Sequence, residues 1–255
     1  MKKIICALLI GRKGSKGLPG KNMIGISGNP MAYWPLSAAL NSKLINRIYV
    51  STDDSALKKL AGDMGCYIID RPDYLAVDEA LGESAFIHAL HEIRQSVIGT
   101  DETEIEFLVL LMANAPTISS SLIDEGINLL RQNSNLDSAV SVSKYNMWSP
   151  TRARRINESG LLESFFPLDL LENYEQINCD RDSQGDVYFA DMGVSIIKPS
   201  NLDEIEKGTP PQRWMGNVIK PIINEAGLDI DYGFQLGQAE WWIKHNLKVI
   251  KDTNE

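Results

Sequence analysis

Seven apolar residues, 4–10, run without interruption into Gly11-Arg12-Lys13-Gly14-Ser15-Lys16-Gly17-Leu18-Pro19-Gly20-Lys21-Asn22. An apolar run this short, stopped by glycine, reads as a strand buried on both faces. Such strands belong to parallel sheets with helices on either side, so this one feature confines the chain to an α/β fold with a basic, glycine-rich loop at a strand end. Lys2 and Lys3 imitate the charged start of a secretory signal, but the run is short and no small-x-small cleavage pattern follows it. Nothing later approaches the roughly 18 uninterrupted apolar residues of a membrane span. The cysteines, Cys6, Cys66 and Cys179, are odd in number and far apart, which argues against a disulfide framework or a Cys-rich zinc site. A soluble, cytoplasmic protein is the expectation, with no membrane partner.

The rest of the chain repeats a strand–helix rhythm. Residues 31–44 read as a helix, 47–51 as a strand, and Asp53 as the cap of a helix running to about residue 64. A third strand is expected at 66–70. Phe86, Ala89, Leu90, Ile93 and Val97 then fall at helical spacing within 83–98. Strand 107–112, helix 121–132 and strand 138–143 follow, an order that predicts a mostly parallel sheet with helices on both faces. From about Lys144 the rhythm breaks. Residues 145–185 read as an insertion, a β-hairpin arm for dimer contacts, before strand patterns return at 193–198 and 228–231 and a helix at 233–245 closes the chain. The expectation is one domain over 1–255 with this excursion.

Charge is segregated. The chain carries 25 Lys+Arg against 34 Asp+Glu, a net −9, which speaks against a general nucleic-acid binder. Yet the first fifty residues hold eight Lys/Arg and no acid, leaving 17 basic and 34 acidic side chains in the other 205. A basic island in an acidic chain points to a local anion site. Glycines let the loop turn tightly and aim N–H groups at a ligand, and Arg12, Lys13, Lys16 and Lys21 add cations. In parallel sheets ligands sit beyond strand C-termini, where this loop lies, so a polyphosphate is its natural occupant. The spacing is neither a Walker A loop, which requires glycine at Ser15 and Ser/Thr at Asn22, nor a dinucleotide fingerprint, since Gly11, Gly14 and Gly17 are spaced GxxGxxG.

The loop resembles the N-terminal motif of the N-acylneuraminate (CMP-sialic acid) cytidylyltransferase family, approximately A-R-x-x-S-K-G-x-x-x-K-N, with Gly11 in place of the alanine. The resemblance continues through Val50-Ser51-Thr52-Asp53, through Arg71-Pro72…Leu75-Ala76…Asp78, similar to R-P-x-x-L-A-x-D, and at Leu228-Asp229-Ile230-Asp231, similar to I-D-I-D. It implies a Rossmann-like nucleotidyltransferase fold, a homodimer, and transfer of CMP from CTP to a sugar-acid hydroxyl with release of pyrophosphate. Arg12 and Lys21 would hold the triphosphate as the catalytic cations. Gly11, Gly14, Ser15, Lys16 and Ser84 would line the nucleotide, and Asn22 and Arg71 would help place the cytidine. Fixed cations suit this chemistry because charge builds on phosphoryl oxygens and on the leaving pyrophosphate. Asp229 and Asp231, two apart, would lie on one face of a strand. Alone, that pair reads by default as a solvated strand end. With the phosphate loop and the resemblance it reads as a Mg²⁺ site, since Mg²⁺ takes one or two carboxylates plus phosphate and water oxygens.

The acceptor side departs from the family. Its L-L-Q-P-T-S-P-L-R segment is matched by Leu110-Leu111-Met112-Ala113-Asn114-Ala115-Pro116-Thr117-Ile118, and its R-P-N-G-A by Ala190-Asp191-Met192-Gly193-Val194. Apolar residues replace hydrogen-bonding ones there, which changes what a pocket selects. Asn114, Asp191 and the cluster Arg152, Arg154 and Arg155 are the candidates for holding a small acidic acceptor of nonulosonate or ulosonate type. A phosphonate or phosphorylated acceptor, another nucleotide, or nucleotide binding with little turnover are the competing readings. His88 and His91, at i and i+3 on the expected helix, read as a polar helix face.

Overall fold

The computed structural model describes residues 2–97, 102–171, 174–182 and 185–251. Strand β1 (Lys2–Ile10) leads through the glycine-rich loop to a small hairpin, β2 (Gly25–Ile26) and β3 (Asn29–Pro30), and then α1 (Tyr33–Asn41). β4 (Arg47–Thr52), α2 (Ser55–Asp63), β5 (Tyr67–Asp70), α3 (Gly82–Val97), β6 (Glu102–Met112), α4 (Ser120–Gln132) and β7 (Ser138–Lys144) continue the alternation. The arm hairpin is β8 (Arg154–Ile156) and β9 (Leu162–Ser164). β10 (Tyr188–Ile197), the short α5 (Ser200–Asp203), β11 (Ile219–Ile223) and α6 (Gly233–Lys251) complete the chain.

Seven strands form one sheet in the order β11-β7-β10-β6-β1-β4-β5. Only β10 runs antiparallel to its neighbours, so the sheet is mostly parallel and Rossmann-like. β1 sits at its centre because it is apolar on both faces. Ile5, Ala7 and Leu9 face α1, α2 and α4, while Ile4, Cys6, Leu8 and Ile10 face Phe86, Ala89, Leu90 and Ile93 of α3. Helices therefore cover both sides. The chain steps from β1 outward to β4 and β5, then returns through α3 to β6 on the other flank of β1. That reversal opens a crevice at the C-terminal end of β1, the usual ligand position in such sheets. A third apolar cluster joins α6 to the β2–β3 hairpin through Ile26, Met31, Trp34, Ile230, Ala239 and Ile243.

Several expectations shift. The first helix is shorter than 31–44. The cap of α2 is Asp54, whose Oδ1 accepts from Ala56 N at 2.9 Å, while Asp53 instead accepts from Lys13 N at 2.9 Å and anchors the loop. Residues 228–231 form no strand; they are an extended strap, and the period-two pattern records alternate burial about Ile230. β11 has no counterpart in the sequence reading because Pro221 interrupts its pattern, a residue tolerated since β11 is an edge strand. The expected helix end at Ile98 lies outside the described residues, as do 172–173 and 183–184 of the expected insertion and residues 1 and 252–255. The described part of 145–185 carries β8, β9 and 3₁₀ turns and adds no strand to the main sheet.

Candidate active site

Strand ends bring the loop together with two other segments. Ile10, Gly11, Arg12, Gly14, Ser15, Lys21 and Asn22 line a cleft of ≈ 200 Å³ with Arg71 after β5, Leu75, Ala80, Leu81, Gly82 and Ala85 before and within α3, and Met112 and Asn114 at and after the end of β6. Gly11 is a packing necessity: a Cβ there would lie 2.8 Å from both Ala113 Cβ and Leu57 Cδ2, which accounts for glycine where the resembled motif has alanine. Gly17 allows a second close approach, since its Cβ would stand 2.8 Å from the Asp231 carbonyl oxygen. The loop thus closes onto the 228–231 strap.

Asn22, Arg71, Lys21 and Arg12 each have a fixing partner. Asn22 is buried and its Nδ2 donates to the Arg12 carbonyl oxygen at 3.0 Å. Arg71 is buried too, its Nη2 donating to the Ser51 carbonyl at 2.8 Å and its Nε to Ser51 Oγ at 3.4 Å. Burial lowers the pKa of its guanidinium and the Asp53 charge opposes that shift, but an arginine remains a cation. Lys21 Nζ meets Asp231 Oδ1 at 2.5 Å. Arg12 Nη1 and Lys16 Nζ meet the two oxygens of Asp78 at 2.6 and 2.7 Å.

The strap is held across the sheet end by side chains of the segments that follow β6 and β7. Asn114 Nδ2 donates to the Ile230 carbonyl at 3.0 Å and to Asp229 Oδ1, and Ile230 N donates to the Asn114 carbonyl at 2.9 Å. Thr117 Oγ1 accepts from Leu228 N at 3.0 Å, and Tyr145 Oη donates to the Gly227 carbonyl at 2.7 Å. Ile230 is fully buried, so the acids flanking it are fixed in place. Burial, with the Asp231 charge beside it, pushes Asp229 up to about 6, against the pull of Lys21 and Asn114. Two carboxylates, one held out of water beside a like charge, are a hard-oxygen donor set that fits Mg²⁺ completed by phosphate oxygens. Among the described residues there is no cluster of three or more His, Cys, Asp or Glu side chains able to hold a metal by themselves.

The remaining candidates lie elsewhere. Ser84 sits half-buried in the first turn of α3, its N–H donating to the Leu81 carbonyl at 3.1 Å, beside the cleft but not lining it. Lys16 is exposed and outside the lining. Arg152 and Arg154 open on a different cavity, with Tyr174 and Cys179, and Arg155 Nε pairs with Glu163 Oε1 at 2.6 Å on the arm. Asp191 is buried, accepting from Ser141 Oγ, from Ser143 Oγ at 2.8 Å and from Gly193 N at 3.0 Å. Asp78, Ser51 and Asp53 organise the cleft without having been singled out for it, although all three fall within the motifs that carry the family resemblance.

The fold and cleft define an α/β protein with a cationic loop at the switch point of its sheet. Residues 6–157 match the family model described as cytidylyltransferase, and the chain belongs to that family. It is 30% identical over 169 residues to an N-acylneuraminate cytidylyltransferase of Escherichia coli O18:K1:H7, covering 66% of this chain and 38% of that one. It is 27% identical over 239 residues to one from Oncorhynchus mykiss, covering 94% and 50%. The chain thus spans between 38% and 50% of the length of these two relatives. Among solved structures, a CMP:2-keto-3-deoxy-manno-octonic acid synthetase complexed with CTP superposes with a TM-score of 0.67 at 16% identity, over 96% of this chain and 100% of that one. A 4-diphosphocytidyl-2C-methyl-D-erythritol synthase from Anaerococcus prevotii gives 0.60 at 14%, over 95% and 99%. Both likenesses are of fold.

Proposed function

We propose that the protein is a CTP-dependent cytidylyltransferase that activates a sugar acid of nonulosonate or ulosonate type as its CMP derivative. The observation that carries this is the convergence of Arg12, Lys21, Asn22 and Arg71 on one cleft, with Asp229 and Asp231 strapped against its phosphate loop. The relatives of similar sequence are named for the same reaction class.

In this reading Arg12 and Lys21 bind the triphosphate and stabilise the charge that grows on it as the acceptor hydroxyl attacks the α-phosphorus. Asn22 and Arg71, rigid through their backbone partners, orient the cytidine. Asp229 and Asp231 are the residues that would hold Mg²⁺. When bound, that ion neutralises phosphoryl charge and favours departure of pyrophosphate. The acceptor enters past Met112 and Asn114, with the buried Asp191 as a support of that side; Arg152, Arg154 and Arg155 stand apart from this cleft and take no part in the proposed acceptor site. Met112 lines the cleft where the resembled segment carries glutamine, which favours an acceptor other than sialic acid itself.

The arm is proposed to form a homodimer, because Ile156 and Leu162 are cross-strand partners and are 73% and 72% exposed. No helix among the described residues is long and apolar enough to cross a membrane. The test of the activity is pyrophosphate release from each of the four NTPs with a panel of sugar acids, phosphonates and phosphorylated acceptors. Turnover with CTP and a sugar acid is expected. Turnover with another nucleotide only, or nucleotide binding without turnover on any acceptor, contradicts the proposal.

A further inference from the structure

The cleft wall opposite the phosphate loop is the segment between β5 and α3. Leu75 anchors it in the core, but Tyr74, Val77 and Leu81 are exposed, so little apolar burial fixes its outer part. One carboxylate spans the gap. Asp78 Oδ1 holds Arg12 Nη1 at 2.6 Å and Oδ2 holds Lys16 Nζ at 2.7 Å, while Arg12 Nη1 also donates to the Ala76 carbonyl at 3.4 Å. Arg12 is tied to the wall through a single nitrogen. Its other edge, Nε and Nη2, has no partner among the described residues, and Arg12 lines the cleft. A guanidinium fixed at one corner presents the remaining edge in a set geometry, which is what bidentate phosphate recognition needs.

We propose that Asp78 is a positioning residue: by pinning Arg12 through Nη1 it aims the Nε–Nη2 edge at the triphosphate, and it couples the 76–81 wall to the phosphate loop. This rests on the reading of the cleft as a CTP site. A carboxylate near a triphosphate also repels it. Both oxygens of Asp78 already face cations, however, so its field toward the cleft is largely compensated, and the loss of alignment outweighs the relief of repulsion.

The experiment compares Asp78→Asn and Asp78→Ala with the unaltered chain, measuring the Kd of CTP by calorimetry, the Kd of cytidine by NMR titration, and thermal unfolding. For Asp78→Ala, CTP binding weakens about tenfold while cytidine binding stays within twofold, because the effect travels through Arg12 to the phosphates; Asp78→Asn falls between. Unchanged or tightened CTP binding overturns the proposal. So does equal weakening of CTP and cytidine, which would mark a general collapse of the wall. If the unaltered chain binds no CTP, it is the assignment of the cleft that fails, a separate result.

Discussion

Lys21 and Asp229 are the two residues on which the proposed chemistry turns. Lys21 is mostly buried yet its partner Asp231 is half exposed, so truncating Lys21 leaves a solvated carboxylate and costs little stability. Lys21→Ala is expected to lower kcat by a factor on the order of 10² with an unchanged unfolding midpoint, since a fixed cation acts chiefly on transition-state charge. Asp229 has its pKa raised to about 6 by burial and by Asp231. In metal-free buffer the folded chain keeps a proton that the unfolded chain has lost between about pH 4 and 6. Stability from this group therefore falls as pH rises through that window and stays lower above it. Asp229→Asn removes the penalty: the variant is expected to be more stable by about 1 kcal/mol at pH 7.5 and indistinguishable at pH 4, while Mg²⁺ no longer raises its melting temperature. Thermal scans at the two pH values, with and without Mg²⁺, check this; a variant less stable at pH 7.5 contradicts it.

Elements were legible in the sequence to the extent that their burial pattern was local. β1, α3 and α4 show it plainly, because a two-faced apolar run and a helical stripe need no knowledge of neighbours. β11 is invisible for the opposite reason: its place at the sheet edge, beside β7, is what permits Pro221. The strap at 228–231 has a strand's alternation but no strand partner; Asn114, Thr117 and Tyr145 hold it instead, contacts more than eighty residues away in sequence. The cleft was half legible. Its loop and Arg71 stand in recognisable motifs, whereas the burial of Asp191 and the placement of Arg152 and Arg154 on another cavity depend on tertiary packing. The junction of loop and strap yields a prediction. Gly17→Ala sets a Cβ 2.8 Å from a backbone oxygen that cannot rotate away, so the loop must shift off the strap. CTP binding is expected to weaken at least fivefold with the global fold intact, measured by calorimetry and circular dichroism; unaltered affinity would mean the contact is incidental.

At the scale of the whole molecule, a chain of net charge −9 places four cations, Arg12, Lys13, Lys16 and Lys21, in the loop where the sheet reverses direction. The net negative charge of the remaining chain favours encounter of a polyanion with that loop. The arm supplies the other global feature. Ile156 and Leu162 face outward as a pair, and Leu170 and Phe165 are also exposed in the same segment. Placing aspartate at both 156 and 162 is expected to turn a dimer into a monomer in sedimentation velocity without loss of helix signal; a monomeric unaltered chain contradicts the assignment of the arm.

The loop after β1 is proposed to grip the phosphate tail of a nucleotide. Titrating CTP into the protein at millimolar Mg²⁺ in a calorimeter tests that most directly. Saturable heat at one site per chain is the predicted result; a flat titration of the unaltered protein contradicts it.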